Sequence, residues 1–107
     1  MADCRDWTAV FGRRADGSGL LRVSGLCIFP TAGYLVELRR HDAQAAEDEL
    51  LLELNIEKPT GPVLQVVTGM PVAYEEVTEL RYARVSILPE GPFGLPVADA
   101  RNDAAAT

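Results

Sequence analysis

Between Glu49 and Glu57 an apolar side chain recurs at every second position: Leu50, Leu52, Leu54 and Ile56, with Glu49, Glu53, Asn55 and Glu57 between them. A period of two marks a strand with one face buried and the other wet. A helix competes for the same stretch, because 42–54 is rich in Ala, Leu and Glu and Asp42 stands where an N-cap would. The alternation continues through Asn55 and Ile56, whereas helical spacing would scatter the leucines around the cylinder. A strand is therefore expected, with room for one helical turn within 42–48.

Similar runs recur along the chain. Run 7–13 ends at the glycine-bearing reversal 15–19, and run 20–29 places Leu21, Val23, Gly25, Cys27 and Phe29 on one face. Segment 30–33 reads as a four-residue hairpin loop, after which Tyr34, Val36 and Leu38 of run 34–40 point inward. Pro59, Gly61 and Pro62 stop the next strand, and 63–68 follows as a nearly continuous apolar run. The chain is expected to bend at 68–71 and cross between sheets. Runs 72–80 and 82–88 complete the set, the latter with Ala83, Val85 and Ile87 inward and Tyr82, Arg84 and Ser86 outward. Beyond Pro89, Pro92 and Pro96 argue for irregular structure, with a short edge strand within 94–98.

Seven strands in about 90 residues, separated by Gly and Pro, predict an all-β fold: a two-sheet antiparallel β-sandwich, immunoglobulin-like or transthyretin-like in size and rhythm. The likeness is architectural, since the Cys-Trp-Cys spacing of an immunoglobulin domain is missing. Residues 1–99 form one expected domain and 100–107 an expected disordered tail.

Composition narrows the classes of function. The 107 residues, 48% of them hydrophobic, suffice for one core. Sixteen acidic residues against ten basic give a net charge of −6, which repels phosphate backbones and argues against a nucleic-acid partner. No apolar run approaches the ~20 residues of a bilayer span, and the start of the chain has no secretory pattern, so no membrane partner and a cytoplasmic location are expected. Cys4 and Cys27 lack metal-site spacing and are expected to be free thiols; a disulfide requires the N-terminal segment to lie across the 20–29 strand.

Catalytic constellations are hard to find. His41 and Asp42 are adjacent and would point apart on a strand, and no serine lies in a nucleophile elbow. The acidic run with Asp42, Glu47, Asp48 and Glu49 lacks the alternating ligands and central glycine of a calcium loop. Neither an enzyme nor a cofactor is expected. The positive signal is an apolar residue on the polar face at two sites, Leu35 and Leu51. With Glu37, Arg39, Glu49 and Glu53 as a charged rim, these predict a protein-association surface, most simply that of a homodimer, with sheet edges as a second docking route. The alternative is a small-molecule or ion site in the loops at one end of the sandwich, using His41, Asp42, Tyr34 and Tyr82.

Overall fold

The computed structural model describes residues 3–41 and 48–99, all in strands, turns and loops. The strands are β1 (Asp3–Arg13), β2 (Gly19–Phe29), β3 (Leu35–Arg40), β4 (Glu49–Glu57), β5 (Thr68–Val77), β6 (Arg84–Leu88), β7 (Leu95–Pro96) and β8 (Ala98–Asp99). They make two four-stranded sheets, in the orders β5-β2-β1-β8 and β3-β4-β6-β7. Pairing is mixed, which corrects the purely antiparallel expectation: β4 runs parallel to β6, and β1 to β8. The cause lies in the connections. From β4 the chain crosses to β5 in the other sheet before returning to β6, and such a crossover brings a strand back in the same direction.

Alternation along the strands fills the space between the sheets. Leu21, Val23, Cys27 and Phe29 of β2 are buried there, with Leu50 and Leu52 of β4 and Val85 and Ile87 of β6. Burying each of these Leu, Val, Ile and Phe side chains stabilises the fold by roughly 1.5–3 kcal/mol. The 49–57 segment is a strand, paired with β3 through Leu38↔Leu54 and with β6 through Leu52↔Ile87. The expected helical turn concerns 42–48, of which 42–47 lie outside the described residues, as does the expected tail 100–107.

Several local expectations are corrected. Segment 30–33 is no hairpin loop, because β2 and β3 belong to different sheets; it carries the chain across one end of the molecule, with Gly33 at φ +95° packed against Pro59 and Val63. The apolar run 63–67 forms no strand, although its Leu64 carbonyl accepts a hydrogen bond from Ala32 N–H at 3.1 Å. The crossing between sheets is complete before Thr68, so β5 runs unbroken through Pro71, which an edge strand tolerates. Tyr82 is buried and Ala83 exposed, the reverse of the expectation, because β6 starts only at Arg84 and 78–83 is a loop.

Cys4 and Cys27 form a disulfide, correcting the free-thiol expectation. Strand β1 reaches back to Asp3, further than the 7–13 run suggested, and its antiparallel register sets Cys4 opposite Cys27. The register shifts between Arg5 and Thr8, where Asp6 and Trp7 together oppose Gly25 and Asp6 has φ 59°. This is a β-bulge, and it kinks the part of β1 that β8 leaves unpaired.

Candidate functional site

The orders of the two sheets place β5 beside β3 at one side of the molecule and β8 beside β7 at the other. At the second side the chain passes from β7 to β8 through Val97, whose N–H donates to Ala83 O at 3.1 Å, so one segment straps both sheets. At the first side the inward-facing charges Arg40 and Glu76 meet. Arg40 Nη1 donates to Glu76 Oε1 at 3.1 Å, Tyr74 Oη donates to the same oxygen at 2.7 Å, and Tyr82 Oη donates to Oε2 at 3.3 Å. The Glu76 side chain is only 13% exposed. Burial first, and the Glu76 carboxylate second, push the Tyr74 hydroxyl up to about 12, and the same causes raise Tyr82. The Glu76 charge raises Arg40. This satisfied cluster binds the two edge strands together, and sequence reasoning missed it because the four residues come from three segments.

The outer face of the β3-β4-β6 sheet carries the residues expected to form an interface. Leu35 stands opposite Glu57, Glu37 opposite Asn55, and Arg39 opposite Glu53. Leu51 lies further along β4, opposite Ser86 of β6 and beside His41, whose N–H donates to Leu51 O at 3.0 Å. Leu35 and Leu51 share a face but are separated by six residue positions along the ladder, roughly 20 Å. The charges of Glu37, Arg39 and Glu53 fill the space between them, so the arrangement is a charged centre with an apolar residue at each end. Arg39 faces Glu37 at 4.0 Å, and the Asn55 amide oxygen, turned toward it, accepts from its Nε at 3.1 Å. Glu49 accepts from the buried Ser86 hydroxyl, which also receives Gly94 N–H at 2.8 Å as the 89–94 loop folds over it.

Residues of the expected ligand site are split between the ends. His41 and Tyr82 lie at the end carrying the β1–β2 and β5–β6 connections, Tyr34 lies at the opposite end, and Asp42 is outside the described residues. Among the described residues no three His, Cys, Asp or Glu side chains are grouped to hold a metal ion.

Tyr34 instead belongs to a cup. Toward the His41 end Leu21, Leu52 and Val85 are completely buried, while inward-facing Leu54 and Ile56 at the far end of β4 are only partly covered. A cavity of about 550 Å³ opens there between the sheets, within the size range of small-molecule sites. Phe29 and Tyr34 form one wall, their rings stacked with centroids 4.3 Å apart and planes 5° from parallel. Leu54, Ile56 and Leu88 line the apolar interior, and Cys4 brings the disulfide to its edge. Lys58 and Glu90 are its charged lining residues, and neither is engaged in an ion pair among the described residues. Periodicity marks Leu54 and Ile56 as inward but says nothing of whether the space before them is filled. No protein-family model, no curated protein and no solved structure matches this chain.

Proposed function

We propose that the chain is a non-catalytic association module, an immunoglobulin-like or transthyretin-like sandwich in size, that pairs with a second copy of itself through the outer face of the β5-β2-β1 sheet. The observation that carries this reading is the distribution of charge. From Pro59 to Tyr74 there is no charged residue in a chain of net charge −6. The exposed apolar side chains Leu64, Val66 and Val67, 73%, 51% and 72% accessible, lie in this stretch. It leads into a sheet face where Leu26 stands opposite Pro71 and Ile28 opposite Gly69.

Two copies of an acidic chain repel one another except where charge is absent or balanced. The face is edged by an Asp3–Arg5 ion pair, one charge of each sign, which a two-fold axis turns into reciprocal attraction. The opposite sheet, with Glu37, Glu49, Glu53 and Glu57 on its outer side, offers no such neutral ground. Edge pairing is disfavoured by the bulge in β1 and by the Arg40–Glu76 cluster between β3 and β5. The Cys4–Cys27 bond suits an oxidising compartment better than the cytoplasm.

Sedimentation of wild-type protein against Val67→Glu/Leu26→Glu tests the reading. The wild type should sediment as a dimer and the double variant as a folded monomer. A wild type that stays monomeric at its highest soluble concentration removes the proposal, and so does a folded double variant that still dimerises.

A further inference from the structure

We infer that the cup at the far end of β4 binds an apolar ammonium compound, an amine carried on a hydrocarbon or aromatic body. Three separate observations converge on that class. The interior offers Leu54, Ile56 and Leu88 to a hydrophobic body, in a space of about 550 Å³ that the protein's own core does not fill. The lining includes the stacked pair of Phe29 and Tyr34, and an aromatic ring attracts a cation over its open face through its quadrupole. Glu90 lines the cup without an ion-pair partner among the described residues, on a molecule whose net charge of −6 gathers cations.

Lys58 is the opposing charge in the lining. Both Lys58 and Glu90 are exposed, and their two charges by themselves favour neither sign. The excess of sixteen acidic over ten basic residues along the chain decides for a positive head over a negative one. This inference is independent of self-association, and its residues do not overlap the face assigned to the second copy.

The test uses the intact protein and two probes of nearly equal shape and opposite charge, phenethylammonium and phenylpropionate, followed by methyl and amide shifts in solution NMR. Phenethylammonium should move the methyl resonances of Leu54, Ile56 and Leu88 saturably. Glu90→Gln should weaken it about tenfold, the size of one lost charge-assisted contact. Ile56→Trp should fill the cup and abolish binding, with circular dichroism confirming that the fold survives. The inference is overturned if neither probe moves those methyls, if phenylpropionate binds as tightly as the amine, or if Glu90→Gln leaves the affinity unchanged. Should Ile56→Trp fail to fold, Glu90→Gln, a change at an exposed position, still decides the matter.

Discussion

The indole of Trp7 occupies the space that a side chain at position 25 would need: a Cβ built on Gly25 falls 2.6 Å from Trp7 Cε3. The bulge that sets two residues of β1 against Gly25 is what turns this ring onto it. Gly25→Ala must therefore push the ring aside, and overpacking of this kind costs about 1–3 kcal/mol. Trp7 is the sole tryptophan, so its fluorescence reports the displacement directly. A red-shifted emission and a lower melting temperature are expected; an unchanged spectrum would show that the ring does not rest there.

Asp6 makes a second prediction about the same bulge. Its φ of 59° lies in the left-handed region, where an L residue pays roughly 1–2 kcal/mol and Asp suffers less than most. Asp6→Gly should leave stability unchanged or raise it, and Asp6→Val should lower it by about 1–2 kcal/mol in urea unfolding. If Val is as stable as Gly at this position, the bulge is not formed as described.

The tyrosines at the β3/β5 side predict an alkaline titration. Tyr74 is raised from its ordinary value of 10.0 to about 12 by burial and then by the Glu76 carboxylate. Because the folded value lies above the unfolded one, the native state holds its proton more tightly. The stabilisation is complete below pH 10 and is lost as pH rises through about 12. Phenolate absorbance should show Tyr74 ionising late, and Glu76→Gln should bring it earlier while leaving the contribution of burial. Ionisation of Tyr74 near its ordinary value would contradict the cluster.

The disulfide closes a loop between residues 23 apart. Chain-entropy reasoning assigns such a cross-link about 3 kcal/mol, and Cys4→Ser/Cys27→Ser should be less stable by about 2–4 kcal/mol. Alkylation of the unfolded protein should add no label before reduction and two labels after it. Labelling of the unreduced protein would restore the free-thiol expectation.

Much of this architecture was legible because alternation encodes a face. Leu21, Val23, Cys27 and Phe29 lie inward as their spacing requires, and so do Leu50 and Leu52. Alternation does not encode a partner. The segment 30–33 has the residues of a hairpin loop, yet β2 and β3 sit in different sheets, and only long-range packing decides between those outcomes. The run 63–67 has strand composition but spans the crossing between layers, where no neighbour offers a ladder. Tyr34 is singled out by the sequence and lines the cup, and alternation turns Ile56 inward, whereas Glu90 carries no local signal. Their meeting depends on the ends of β4 and β6 lying side by side, a parallel pairing that no short-range pattern records.

The two sides of the molecule are fastened by different forces, and this gives it a direction of opening. Along β7 and β8 the layers share a continuous peptide chain, as a book's covers share a spine; along β3 and β5 they meet at Arg40 and Glu76 like a clasp. Ionic strength weakens a clasp and leaves a spine alone. Sub-global breathing should therefore start at the clasp, with amides of β3 exchanging faster in concentrated salt while those of β1 keep their protection; uniform acceleration in both strands would refute such a hinge.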